Sequence, residues 1–157
     1  MTAGTEDFVR WERAIEAANA AYERLDDARA CVLYDQAIAL ARHLLDTKPW
    51  RKVGPKADAR VPVFDAAVAA FVVSNHNAAN LHKRSGKRED VAALYRQTHL
   101  TVSDLSTAPD LEEELRAIAA RHITRTLGEF TSYLQLSAAF APANPGVSTA
   151  SEHHGRH

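Results

Sequence analysis

Asparagines, histidines and cations crowd one stretch of this chain, "HNAANLHKRSGKRED", which starts at His76. Its residue types suit two kinds of chemistry. An amide such as Asn80 both donates and accepts hydrogen bonds. Lys83 and Arg84 beside it add charge-assisted bonds, a set fit for holding peptide backbone or a carboxylate. His76 and His82, with His99 and His122 further along, could instead converge on a metal ion or small molecule. That alternative lacks a motif: there is no His-Glu-x-x-His, no Glu-x-x-His of a di-iron bundle and no cysteine pair. Ordinary hydrogen-bonded roles fit His43, His76, His82, His99 and His122 as well. The terminal "EHHGRH" could hold a transition metal loosely, or simply be solvated.

Catalytic patterns are missing. Cys31 follows Ala30 inside an apolar stripe and reads as a small packing residue. No Gly-x-Ser-x-Gly elbow and no Gly-rich phosphate loop occurs. Glu112, Glu113 and Glu114 suit the positive start of a helix. The expectation is a protein with no enzymatic activity, no cofactor and no catalytic or metal-ligating residue. "KPWRKVGPK" sets Trp50 among Lys48, Arg51, Lys52 and Lys56. An exposed aromatic there could meet an acidic surface, or the ring could fold back over the core.

Positioning these groups falls to helices. Apolar residues recur at Phe8, Trp11, Ile15, Ala18, Tyr22 and Leu25, the three-and-four spacing of one helical face, with Thr5 as its expected cap. A second stripe runs from Ala30 through Tyr34, Ala37 and Ala41 to Leu45. Prolines and charges over 47–61 predict a loop, and Pro62 predicts a helix start in its first turn. The third stripe includes Phe64, Val68, Phe71, Asn75 and His82, and Gly86 marks a tight turn before Val91, Leu94, Tyr95 and Val102. Ser106 or Thr107 as cap and Pro109 in the first turn predict a last helix over 108–140, either continuous or broken near Gly128. No strand of credible length is present. The prediction is one all-α domain over 1–140: hairpin 5–46, loop 47–61, hairpin 62–106, C-terminal helix 108–140 and a disordered tail over 141–157.

The two hairpins match each other. Ala17, Ala18 and Asn19 align with Ala78, Ala79 and Asn80, and Leu33, Tyr34 and Gln36 with Leu94, Tyr95 and Gln97, all 61 positions apart. Self-similar helical hairpins are the signature of stacked repeats. Both units resemble tetratricopeptide repeats. The small-aromatic-small pattern of that family's second helix reads here as Ala30, Tyr34, Ala37 and again as Val91, Tyr95, Thr98. Gly86 stands where the family often has a turn glycine, and Leu25 stands there in the first unit. The family's tryptophan, Leu-Gly pair and closing proline are absent. The resemblance covers 11–45 and 72–105.

What the resemblance implies is a shallow groove lined by Glu12, Ile15, Asn19, Tyr22 and Glu23, then by Val73, His76, Asn80, Lys83 and Arg84. It implies a protein or peptide partner, held by Asn19, Tyr22, His76, Asn80, Lys83 and Arg84. Each asparagine could equally bridge backbone at a helix contact. A small adaptor or chaperone of bacterial type follows, with a metal- or small-molecule-binding bundle using His76, His82, His99 or His122 as the alternative. Composition agrees with a folded domain: 157 residues, 46% hydrophobic and 25% charged, with a net charge of −1 that gives no case for nucleic acid. The acidic, polar N-terminus does not read as a signal peptide, and no apolar run suits a membrane span. One cysteine excludes an internal disulfide, and a cytoplasmic protein is expected. The last helix could cap the stack or pair two copies into a homodimer.

Overall fold

The computed structural model describes residues 3–139, and every regular element among them is helical. Helix α1 spans Ala3–Glu23, α2 Asp27–Thr47, α3 Ala57–Arg84, α4 Arg88–Ser106 and α5 Glu113–Ala139, with a single 3₁₀ turn at Pro49–Lys52. The all-α expectation holds. Phe140 and the tail expected over 141–157 lie outside the described residues. Among the described residues no helix is long and apolar enough to cross a membrane.

Two hairpins, α1–α2 and α3–α4, close through turns of the same geometry. In the first, Asp26 N–H donates to Ala21 O at 3.0 Å and Leu25 N–H to Tyr22 O at 3.1 Å. In the second, Lys87 N–H donates to His82 O at 3.0 Å and Gly86 N–H to Lys83 O at 3.1 Å. Each pair of bonds is the same pair moved by 61 residues. Leu25 (φ 62°) and Gly86 (φ 72°) both take the left-handed conformation that lets a helix end this way. The residue types differ, and the backbone does not.

Alanines set the close approach inside the first hairpin. Ala18 and Ala21 on α1 face Ala30 and Ala37 on α2, with Ile15 and Tyr34 filling the space around them. α3 is the central helix and buries Phe64, Val68, Phe71 and Val72. Each such side chain contributes about 1.5–3 kcal/mol on burial, so α3 orders the rest. α5 adds Leu111 just ahead of it, then Leu115, Ile118 and Ala119, to the same core. Trp50 is 1% exposed and stands edge-on to Phe64 with centroids 4.9 Å apart. The tryptophan therefore folds over the core, while Arg51, Lys52 and Lys56 of its loop face solvent.

Helix boundaries differ from the sequence expectation at three places, the starts of α1, α3 and α5. α1 begins at Ala3, ahead of Thr5. α3 begins at Ala57, so Pro62 lies inside the helix and the loop is shorter than 47–61. Arg60 secures the added turn: its Nε donates to Gly54 O at 2.6 Å and its guanidinium pairs with Glu112. Asp58 and Pro62 both sit on the exposed side, where the helical bond that proline cannot donate matters least. Ser106 ends α4, Thr107 is its C-cap, and Pro109 falls in the turn before α5. α5 itself runs unbroken through Gly128, because packing against α4 and α3 outweighs the glycine's weak helix propensity.

Candidate functional site

α3 carries the most buried side chains, yet one edge of it stays open. Pro62, Ala66, Ala69, Val73, Asn77 and Asn80 recur at three-and-four spacing and are all half-buried or exposed. On one side of this edge α1 is tied down. Trp11 Nε1 donates to Ser74 Oγ at 2.7 Å, and Asn77 Nδ2 donates to Asn19 Oδ1 at 3.1 Å. On the other side α5 is tied down by His122 and Asp65, 2.7 Å apart, and by Lys83, whose ammonium sits 5.7 Å from the Tyr133 ring centre. A trough results, floored by small residues and amides.

Its rims differ in charge. Glu12, Glu16 and Glu23 are exposed on the edge of α1 that carries Asn19. Arg121 and Arg125 are exposed on α5. Glu114 and Glu129 are exposed on the same face of α5 as these arginines, so the α5 rim is mixed in charge where the α1 rim is acidic.

The six residues read from sequence as partner contacts fall into three side-chain arrangements, with Asn80 outside all of them. Asn19 Oδ1 accepts from Tyr34 Oη at 2.7 Å as well as from Asn77, so one amide oxygen joins α1, α2 and α3. Burial, with Tyr22 nearby, pushes the Tyr34 hydroxyl up to about 12, which keeps it a donor to Asn19. Tyr22 and Arg84 meet each other: the guanidinium lies 3.9 Å over the Tyr22 ring, donates to Tyr22 O at 3.0 Å and pairs with Asp27. Asn80 is exposed on the trough, without a hydrogen bond to another described side chain. Of the other groove positions, Val73 faces the trough, Glu12 and Glu23 line its rim, and Ile15 belongs to the core.

His76 and Lys83 form the third arrangement, with Tyr95 and Tyr133. His76 is 6% exposed, stands edge-on to Tyr95 at 5.2 Å, and its buried Nε2 has no hydrogen-bond partner. Burial, reinforced by the Arg125 and Lys83 charges against an opposing Glu129, lowers its pKa to about 4. The imidazole is therefore neutral near pH 7. Lys83 covers the Tyr95 ring at 5.0 Å, and Tyr133 Oη donates to Arg88 O at 3.1 Å. Sequence reasoning did not place Tyr133, Asn77 or Arg125 among the partner contacts. Asn77 had a signal, an amide inside an apolar helix. Tyr133 and Arg125 had none, because their place depends on how α5 crosses α3.

The histidines are held separately. His122 meets Asp65, His43 meets Asp7 at 3.4 Å, and His99 Nδ1 lies 3.1 Å from Thr126 Oγ1. His82 is half-buried on α3. Among the described residues, no three His, Cys, Asp or Glu side chains come together in a way that could hold a metal ion. Of the four loop cations, Lys48 and Arg51 both meet Asp110, at 3.3 and 3.2 Å.

Compared with known proteins, residues 9–152 match a family model described as a protein of unknown function, DUF2753. No curated protein matches, and no solved structure does.

Proposed function

We propose that this chain, which belongs to the DUF2753 family, is a non-enzymatic adaptor or chaperone that holds a peptide or protein segment along the α3 trough. The plan is tetratricopeptide-like, and we read the protein as a cytoplasmic one of bacterial type. The observation that carries this reading is the open edge from Pro62 to Asn80 on an otherwise buried helix. Eighteen helical steps give it about 27 Å of length at 1.5 Å per residue, room for about eight residues of extended chain. Val73 offers apolar contact at the middle, Asn80 an unengaged amide at one end, and the α1 rim a row of carboxylates. Asn19, Tyr22 and Arg84 support the trough by fixing the helices, and Asn80 and Lys83 are the better placed to touch a ligand.

Site-specific photo-crosslinking tests this. A photoreactive side chain at Asn80 is expected to capture a defined partner in cells, and Val73→Arg is expected to abolish capture in protein that circular dichroism shows still folded, since Val73 also packs on the first-hairpin core. The same probe at Arg96, exposed on α4, should capture little. Equal capture from both positions, or capture indifferent to Val73→Arg, would overturn the reading.

A further inference from the structure

A second surface lies at the end of the stack, on the side of the α1–α2 hairpin turned away from α3. Between the two helices runs an open groove of about 620 Å³ floored by Ala14, Ala17, Leu33 and Leu40 and edged by Arg10 and Arg13. Its apolar character continues along α2 and the turn before it: Val32 is 57% exposed and Leu25 73% exposed. Positions 29, 32, 36 and 40 fall on one stripe of α2, which extends the groove toward the turn that holds Leu25.

Leu25 gives the surface its first peculiarity. It holds a left-handed backbone, which costs an L-residue on the order of 1–2 kcal/mol, and its side chain packs on little within the chain. The matching turn of the second hairpin uses Gly86 for the same φ. A leucine kept at a glycine position and presented to solvent gains its burial from outside the chain.

Charge is the second. Arg13, Arg24 and Arg29 are exposed along this face, and none makes an ion pair among the described residues. Arg10 has only a 3.8 Å contact with Asp7, which His43 shares. The acids nearby are Glu6 near the start of α1, Asp26, whose side chain caps α2 beside Leu25, and Asp35, one turn from Val32. An apolar stripe with unpaired guanidiniums beside it complements a helix that carries leucine-like residues on one face and carboxylates along both borders. A second copy of the chain fits less well. Face to face, the arginines of this surface would oppose arginines.

From this geometry we infer a docking site for an acidic amphipathic helix of a partner protein, separate from the α3 trough. The test uses the full chain and two synthetic helices of about five turns, identical in their leucines. Glutamates fill the remaining positions of one and lysines those of the other. Fluorescence polarisation should show binding of the acidic helix only, weakening as salt rises. Arg13→Glu and Arg29→Glu should each lower affinity about tenfold, the loss of one charge-complementary contact. Val32→Glu should do the same. All three positions are exposed, and circular dichroism checks that the variants stay folded. Asn80→Ala should leave this binding unchanged, which separates it from the trough. Binding of both helices alike, binding of neither, or variants without effect would overturn the inference. So would sedimentation showing a dimer that Val32→Glu dissociates.

Discussion

Tyr34 Oη donates a 2.7 Å hydrogen bond to Asn19 Oδ1 across the first hairpin. The pair 61 residues later, Tyr95 and Asn80, makes no such bond. Tyr95 instead packs against His76 and Tyr133, and Asn80 faces solvent. Matched residues in matched hairpins therefore do different work, one amide building the fold and the other left free on its surface.

Alanine substitutions should separate the two asparagines. Asn19→Ala leaves the buried Tyr34 hydroxyl and the Asn77 amide without their acceptor, a loss of about 1–3 kcal/mol. Asn80→Ala removes nothing that the fold uses and should stay within about 0.5 kcal/mol of the parent. Urea denaturation measures both, and equal losses would contradict the distinction.

The left-handed turns make a second pair. Leu25→Gly relieves a strained backbone whose side chain is mostly exposed, and should stabilise by about 0.5–1 kcal/mol. Gly86→Ala forces a β-carbon into the same conformation and should destabilise by about 1 kcal/mol. No atom crowds the Gly86 position, so backbone preference alone sets the sign.

His76 should make stability depend on pH. Its folded pKa, about 4, lies below the ordinary 6.5, so the unfolded chain takes up the proton first. The contribution is present above pH 6.5 and is lost as pH falls from 6.5 toward 4. At about 1.4 kcal/mol per pKa unit the loss is on the order of 3 kcal/mol. Carboxylates titrate in the lower part of that window, so the measured quantity is the difference between the parent and His76→Ile. Isoleucine is the residue at the matching position of the first hairpin, Ile15, which is also buried. The variant should lose less stability than the parent over this range. Parallel curves would mean that His76 is not held neutral.

Gly128→Ala should stabilise α5. A β-carbon there meets nothing within 4 Å, the position is exposed in mid-helix, and alanine restores about 1 kcal/mol of helix propensity. A calorimetric scan should show the melting temperature about 2–4 °C higher for a domain of this size. No gain would imply that α5 frays beyond Gly128 in solution.

Local information was enough for the helices and their hairpins. The faces of α1 to α5 follow from the spacing of apolar residues within each helix. The two turns follow from contacts no more than five residues apart, which is why their shared geometry was legible as a 61-residue repeat. Even here the start of α3 was hidden, because Arg60 holds that turn through Gly54 and the distant Glu112.

Nothing local told Asn19 from Asn80, since each follows two alanines in an apolar helix. Asn19 is drawn inward because α3 brings Asn77 beside it and α2 brings Tyr34. Tyr95 is claimed instead by α5, which lays Tyr133 against it, and Lys83 closes over both rings. Sequence by itself determined an all-α chain of repeated hairpins, because helix periodicity and turn closure are short-range effects. Tertiary structure alone decided which amide is buried, which imidazole is kept neutral and which edge of α3 stays open. Those outcomes depend on desolvation and on partners 15 to 58 residues away, which short-range patterns do not encode.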